Sequence, residues 1–487
     1  MPHMTLAMEV AGSTNPSASV VPFWLHGQEI CTPSTFDVIS PITHEILYQC
    51  STASETDVSA AVESANRAFQ TWSRTKPQEK RDVFLRAAEI FARRKEELFQ
   101  YIRQETGEGQ MFFQVEWDLI QQMCKDIAGL IQTIQGDHPT VAAPGHSAVV
   151  LREPYGVVAA IAPWNAPYIL GLRSCLLPLA AGNTVVLKGP ETAPKPFWAI
   201  ADTLYQAGLP PGCLNTLYHR QSDASQITTA LISHPLVQKI NFTGSTAVGS
   251  IIGSTAGKFL KPVLLELGGK ASAIVCQDAD LQLAAAECAL GSFLNSGQIC
   301  MSTERIVVHE KVAMQFTEAL KKAVVSLFPD QSAQIVNAAS LNKNMKLIQD
   351  AISKGARDSR SDVVIPPGTT KMHLTLLEDV DTSMDIYHSE SFGPSVGIIT
   401  VTSDDEAIQI ANDTEYGLTS AVFTEDLRTG FKIAKQIKSG AVHINSMTVH
   451  DETALPHGGM KRSGFGRFNS REGLSEWVRT KSVTWKD

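Results

Sequence analysis

The chain has 487 residues, 43% of them hydrophobic, which is more than one ordinary core needs and suits two or three domains. Its net charge of −9, with no block of basic residues, argues against nucleic acid and anionic membranes as partners and leaves small molecules. Eight scattered cysteines with no C-x-x-C pair point to neither a zinc site nor a disulfide scaffold, so no metal is expected and the cytoplasm is the simplest compartment.

Met1 to Val21 holds Glu9, no Lys or Arg and no long apolar run, so it reads as neither a signal nor a transit peptide. The Gly-Ser-Thr-Asn-Pro-Ser-Ala-Ser piece at 12–19 suggests a disordered tail, taken as residues 1–22, and no stretch approaches membrane-spanning length. Strand-like runs follow around Phe23–Leu25 and Phe36–Val38. Ser54-Glu-Thr-Asp57 ahead of a Val58-x-x-Ala-Val pattern announces a helix, and amphipathic patterns continue at Glu79–Arg94, Lys95–Thr106 and Phe112–Gln135.

Strand and helix then alternate: Val157–Ala162 and Tyr168–Leu179, Thr184–Leu187 and Phe197–Ala207, Val237–Phe242 and Thr246–Ala256. A second series runs Ala271–Val275, Leu281–Leu294, Arg305–His309, Lys311–Leu327, Ser395–Val401, Asp404–Asn412, Ser420–Phe423, Leu427–Lys438 and Ala441–Ile444. Alternation of this kind predicts an α/β fold with doubly wound parallel sheets, here in two domains. Ala148–Glu153 and Lys481–Trp485 alternate like exposed strands, whose bare edges invite pairing with another chain, an ordinary surface hairpin being the alternative.

Cys300 lies in the polar turn of Gly291–Arg305, between a helical pattern and a β-branched run, where a thiol is expected to be on show. A free cysteine is more often a small buried hydrophobe, so position alone does not make it a nucleophile. Glu266 is a lone carboxylate in the apolar run Val263–Leu267 before Gly268-Gly269. An ionised Glu in such a place is costly and its pKa tends to rise, which suits a general base. Glu-Leu-Gly-Gly followed 34 positions after Glu266 by Gly-Gln-x-Cys resembles the aldehyde dehydrogenase superfamily, and matching pieces run from about Phe23 to the C-terminus.

The resemblance implies a Rossmann-like NAD-binding domain (23–143 and 155–265), an α/β catalytic domain (266–462) and a small β oligomerisation flap (144–154 and 472–487) that builds a homodimer or homotetramer. It also implies that Cys300 adds to an aldehyde carbon, that Glu266 is the base, and that Asn165 in Pro163-Trp164-Asn165 stabilises the oxyanion together with the cysteine's own N–H. A thioester on Cys300 would then be hydrolysed to the acid.

No G-x-G-x-x-G follows a strand, and Gly244-Ser-Thr-Ala-Val-Gly249 lacks the Walker lysine, which disfavours a kinase or ATPase. Strand Val237–Phe242, turn Thr243-Gly244-Ser245 and the helix after it fit a plain capped helix start equally well, and it is the resemblance that implies amides offered there to a pyrophosphate. The resemblance assigns the adenosine ribose to Lys188 and Glu191, and the second ribose to Glu390 beside Phe392. Gly268 and Trp164, from the family's glycine and Pro-Trp-Asn motifs, complete the cofactor set. A carboxylate at 191 would repel a 2′-phosphate, so NAD is expected over NADP.

The tail Met301–Arg305 resembles the salicylaldehyde and vanillin dehydrogenase branch, and Arg173 matches an arginine thought to line its substrate channel. A guanidinium there could pair with a phenolate or ring hydroxyl, although a plain salt bridge is the ordinary alternative. Ala166 would leave room for a ring, Phe112, Phe113 and Tyr168 would supply stacking surface, and Ile299 and Met301 flank the thiol. A hydroxylated aromatic aldehyde is therefore expected, with a broad or aliphatic aldehyde specificity as the alternative. A cysteine hydrolase would need a His partner, and His309 has no motif around it; transfer to coenzyme A is disfavoured by Glu266; a retired binding protein would be expected to lack Cys300, Glu266 or Asn165. Phe328–Lys343 departs from the family by lacking Gly-Pro, so a surface loop is expected to differ there, whereas His457-Gly458-Gly459-Met460-Lys461-Arg462-Ser463-Gly464 keeps the family's Gly-Gly-x-Lys-x-Ser-Gly.

Overall fold

The structure, a computed structural model, describes residues 20–359 and 364–486. The first expected boundary moves. Residues 1–19 lie outside the described part, but Val20 and Val21, assigned to the tail, form a strand parallel to Ile46–Ser51, because Val21 is buried against the core. Four helices follow. The first, Glu55–Trp72, opens on a reciprocal capping box in which Ser54 N donates to Asp57 at 2.8 Å. The second is Pro77–Arg93, two residues ahead of the pattern because Pro77 fits a first helical turn. The third is Lys95–Thr106 as expected, and the fourth, Gln110–Leu130, stops short of Gln135. Past it the backbone turns to bond a neighbouring strand, Asp137 and Val150 exchanging both main-chain hydrogen bonds.

Two large sheets carry the rest. The first has eight strands in the order Gly464–Phe465, Val263–Glu266, Val237–Thr243, Val157–Ile161, Thr184–Lys188, Leu214–Leu217, Phe23–Leu25 and Gln28–Ile30, with the five from Val263–Glu266 to Leu214–Leu217 parallel. Val157–Ile161 is buried throughout, the pattern of a strand covered on both faces. The second sheet has seven strands in the order Arg357–Asp358, Thr375–Glu378, Ser395–Val401, Thr303–His309, Ala271–Val275, Thr419–Phe423 and Ala441–Ile444, parallel except for the first.

How the two sheets meet decides where chemistry can occur. Thr243 pairs with Glu266, Phe242 with Ile161, and Ile161 with Lys188, so the carboxyl ends of these strands lie level along one edge. Four residues, Leu267 to Lys270, then carry the chain from Glu266 to Ala271, which pairs with Thr303 at the amino end of the second sheet. The carboxyl edge of one sheet thus faces the amino edge of the other. Crevices outside strand carboxyl ends are where open α/β sheets bind ligands.

His146–Pro154 and Val478–Lys486 pair antiparallel in a continuous register from Pro154↔Val478 to His146↔Lys486, and the second strand is exposed along nearly its whole length. Among the described residues no helix is long and apolar enough to cross a membrane.

Candidate active site

Cys300 is delivered by a strained turn. Helix Leu281–Phe293, capped by the Asp280 carboxylate, is followed by Asn295, Ser296 and Gly297 at φ of 48°, 60° and 69°, three successive left-handed residues of which two carry a Cβ. Such conformations cost about 1–3 kcal/mol each and persist only where the surroundings enforce them. Here a ring of hydrogen bonds does so. Asn295 Nδ2 donates to the Asn165 carbonyl at 2.7 Å, and Asn165 Nδ2 donates to the Gln298 carbonyl at 2.9 Å. Gln298 Nε2 reaches Gln334 O at 3.2 Å, and Gln298 Oε1 accepts from Val336 N at 3.0 Å. The Phe328–Lys343 stretch, expected as a variable surface loop, therefore supports the cysteine turn: it contains strand Ser332–Gln334 and the start of helix Ala338–Ser353.

Cys300 is partly exposed rather than fully on show, and of the other seven cysteines only Cys31 is not buried. Its thiol is pushed well above the ordinary thiol range, first by burial and next by the neighbouring Glu266 carboxylate, with Arg173 pulling the other way. The resting sulfur is therefore a protonated thiol that needs a base. Glu266 ends its strand 1% exposed, and neither carboxylate oxygen has a hydrogen-bond partner among the described residues. The glycines after it explain the motif. A Cβ on Gly268 would lie 2.6 Å from the Glu390 carboxylate, and one on Gly269 would lie 2.3 Å from the Cys300 carbonyl oxygen. Only bare backbone lets the two edges close this tightly.

Cys300, Glu266 and Asn165 share one cavity with Trp164, Gly244, Ser245, Gly268, Glu390 and Phe392. Nine residues predicted from five separate stretches are thereby brought together. Trp164 and Phe392 meet edge-on with ring centroids 6.0 Å apart, and Ser245 caps the helix Thr246–Lys258. Glu390 accepts from Gly269 N at 2.8 Å, and its carboxyl is pushed up to about 7 by burial and then by Glu304. Glu304 is itself buried, ion-paired to Lys270 at 2.5 Å and accepting from Ser391 N and Phe392 N at 2.8 and 3.1 Å. Glu304, within the Met301–Arg305 tail read as a substrate-branch marker, thus clamps the 390–392 loop. Arg305 nearby binds the carbonyls of Ile410 and Asp413 at 3.0 and 3.1 Å.

Glu191 lines a neighbouring cleft together with Arg220 and Thr192. Lys188 sits against Glu191, its ammonium held below the usual lysine range by burial, with Glu191 opposing that shift. His219 beside it is driven down to about 4 by burial and by Lys188. Arg220 pairs with Asp223 at 2.9 Å.

On its other side Cys300 opens into a second, mostly apolar cavity that shares Asn165 and Leu170 with the first and is lined by Phe112, Ala166, Ile169, Arg173, Ile299, Met301 and Val449. Two expected members are absent. Tyr168 is fully buried with its hydroxyl donating to Leu98 O at 2.8 Å, and Phe113 packs on Phe99 at 4.9 Å and against Trp117 and Tyr168. Helix geometry is the reason. Ile169 and Arg173, four apart, share the channel face of Pro167–Ala180 and turn Tyr168 away, while Phe112 and Phe113, adjacent on one helix, cannot face the same way.

Arg173 is not free. It is ion-paired with Asp451, their side chains 3% and 9% exposed, and it lies over the Phe468 ring at 5.4 Å. Its Nε is buried without a hydrogen-bond partner among the described residues. Asp451 and His457, both in the channel wall, were missed by sequence reasoning. They lie in irregular chain between Ile444 and Lys461, where no periodicity relates them to Glu266, and the only signal was a histidine before a glycine pair.

Comparison with known proteins agrees with this geometry. Residues 27–483 match the aldehyde dehydrogenase family. Vanillin dehydrogenase of Pseudomonas sp. (strain HR199 / DSM 7063) is 39% identical over 472 residues, covering 94% of this chain and 97% of the relative. Among solved structures, salicylaldehyde dehydrogenase of Pseudomonas putida G7, complexed with salicylaldehyde, superposes with a TM-score of 0.91 at 34% identity, over 96% of this chain and 98% of that one. Betaine aldehyde dehydrogenase of Staphylococcus aureus in complex with NAD+ does so with a TM-score of 0.89 at 27% identity, over 95% and 94%. With a cysteine, a buried carboxylate and an amide gathered where two α/β sheets meet, this chain belongs to the aldehyde dehydrogenase family and is an NAD(P)-dependent aldehyde oxidoreductase.

Proposed function

We propose that the enzyme oxidises hydroxylated aromatic aldehydes to the acids with NAD, through a thiohemiacetal and then a thioester on Cys300. The observation that carries the substrate reading is the channel itself: apolar walls from Phe112, Ile169, Ile299 and Val449, with one buried ion pair, Arg173–Asp451, set into them beside the thiol. An apolar slot with few placed polar groups suits a flat ring carrying a hydroxyl. The Asp451 carboxylate can accept from that hydroxyl, and Arg173 Nε–H can donate to it.

The residues of the cofactor-side cavity fit a nicotinamide dinucleotide. Ser245 and the first turn of helix Thr246–Lys258 present amides for phosphate, Glu390 offers a carboxylate for ribose hydroxyls, and Trp164 and Phe392 flank the approach to Cys300. Bound there, the nicotinamide supplies the hydride acceptor. Glu191 across the neighbouring cleft supports NAD, because a carboxylate accepts from a 2′-hydroxyl and repels a 2′-phosphate.

The chain's own part follows from the site. Glu266 takes the thiol proton as Cys300 Sγ bonds to the aldehyde carbon. The oxyanion meets two donors. One is the Cys300 N–H, which donates to nothing else among the described residues; the other is the second Nδ2 hydrogen of Asn165, whose first is spent on Gln298. Once hydride has left, the carbon–sulfur bond is a thioester; Glu266, having released the thiol proton towards solvent, then takes a proton from water attacking it, and Sγ departs as thiolate. Specific activities on salicylaldehyde, vanillin, benzaldehyde, acetaldehyde and hexanal test the substrate. Hydroxylated rings should give the highest kcat/KM, and a higher value for acetaldehyde would favour a broad or aliphatic specificity.

A further inference from the structure

We propose that His457, oriented by Asp451, takes the proton from Glu266 in every cycle and so sets the rate at which the thioester is hydrolysed. This rests on the role of Cys300 and Glu266 proposed above. Glu266 must lose one proton per turnover, yet it is 1% exposed and both its oxygens lack a hydrogen-bond partner among the described residues. The nearest polar side chain with a titratable nitrogen is His457, whose Nε2 stands 3.8 Å from Glu266 Oε1 while its Nδ1 stands 4.0 Å from Asp451 Oδ1. Both gaps exceed a hydrogen bond by about 1 Å, the loose spacing that catalytic contacts show before substrate binds.

The surroundings aim that ring. The His457 main chain is fixed by two hydrogen bonds with Phe468, at 2.9 and 2.8 Å, and the Asp451 carboxylate is held by Arg173 and by Asn469 Nδ2 at 2.8 Å. An acceptor on the Nδ1 side keeps the hydrogen there and leaves the Nε2 lone pair towards Glu266. The charged groups facing the ring are Glu266 at its strand end, Arg173 on the buried helix, Arg467 ahead of helix Ser470–Ser475, and Asp451 on its own loop. Burial and Arg173 hold the imidazole below the usual histidine range, with Arg467 acting the same way and Glu266 opposing, so that the resting ring is neutral and able to accept. With its side chain 9% exposed in the channel wall, it can also pass the proton to water.

The step balances. Water oxygen bonds to the acyl carbon, the C–S bond breaks with its electron pair on sulfur, the water proton goes to Glu266 Oε1 and then to His457 Nε2, and from there to solvent. His457 is thus a positioning and relay residue that acts through Glu266. Rapid-mixing measurements of NADH on His457→Ala and His457→Gln test it. The first hydride transfer precedes any discharge of Glu266, so a full NADH burst is expected, followed by a steady-state rate lower by at least about tenfold. Added imidazole should restore the His457→Ala rate, saturably and in step with the free base. Wild-type steady-state rates in either variant, loss of the burst in both, or a slowed His457→Ala rate that imidazole leaves unchanged would each overturn the relay. Trapping of the acyl group on Cys300 in Glu266→Gln tests the thioester reading separately.

Discussion

Asn165 Nδ2 donates to the carbonyl of Gln298 at 2.9 Å, two residues before Cys300, while the Asn165 carbonyl accepts from Asn295 at 2.7 Å. One side chain thereby fixes the plane of its own amide and the backbone that presents the thiol. Removing a preorganised oxyanion donor costs about 10²–10³ in rate. Asn165→Ala should lose that much in single-turnover hydride transfer while NAD affinity, measured by NADH product inhibition, stays within about twofold on the same reasoning. A variant that forms NADH at the wild-type rate and slows only hydrolysis would assign Asn165 elsewhere.

Arg173 and Asp451 should not be tested singly. Removing one member of a buried pair leaves an uncompensated charge and costs about 3–5 kcal/mol. Arg173→Ala alone should therefore unfold at clearly lower denaturant, and the double variant Arg173→Met with Asp451→Asn should recover much of that loss. If the pair reads the ring hydroxyl, the folded double variant should treat salicylaldehyde and benzaldehyde nearly alike, losing about 1–3 kcal/mol of discrimination. An undiminished preference for salicylaldehyde would remove the pair from substrate recognition.

Glu390 carries a pH dependence. Burial and Glu304 push its carboxyl up to about 7, so it loses its charge as pH falls through neutrality, far above the range of an ordinary carboxylate. A protonated carboxyl has one fewer oxygen to accept from a ribose. The KM for NAD should be lowest above about pH 8 and rise as pH falls through 7, a trend that Glu390→Gln should flatten. A KM for NAD independent of pH between 6 and 8 in the wild type, on that same scale, would separate Glu390 from cofactor binding.

Much of this site could be read before the fold was known. Strand Ala271–Val275 and helix Asp404–Asn412 match their expected bounds, and Ser54 with Asp57 marked a helix start that the structure reproduces as a capping box. These are local signals, fixed by side-chain period and by one turn of chain. Glu266 and Cys300 were legible because each breaks the pattern around it. Tyr168 and Phe113 were misread because composition reveals an aromatic but not the face of the helix that carries it. Asp451, His457 and the clamp formed by Glu304 were missed for a different reason: their partners are distant in sequence, and only the apposition of the two sheet edges brings them together.

Glu191 and Arg220 line one cleft, so cofactor preference should hinge on the pair. Glu191→Ser should raise kcat/KM for NADP by about tenfold or more through loss of like-charge repulsion, and adding Arg220→Ala should reverse part of that gain. Unchanged discrimination in Glu191→Ser would place the ribose elsewhere.

The paired strands His146–Pro154 and Val478–Lys486 leave an exposed outer edge, which supports assembly into a homodimer or homotetramer. Light scattering on a chain ending before Val478 should show dissociation or aggregation; an unchanged particle mass with full activity would contradict an assembly built on this edge.

The thioester on Cys300 is open to direct observation. Intact and peptide mass spectrometry of Glu266→Gln, mixed with salicylaldehyde and NAD and quenched after one turnover, should find one acyl group per chain on the peptide bearing Cys300, matched by one equivalent of NADH and absent from Cys300→Ala. Repeated turnover by Cys300→Ala, or NADH formed by Glu266→Gln with no acyl group on Cys300, would contradict the mechanism.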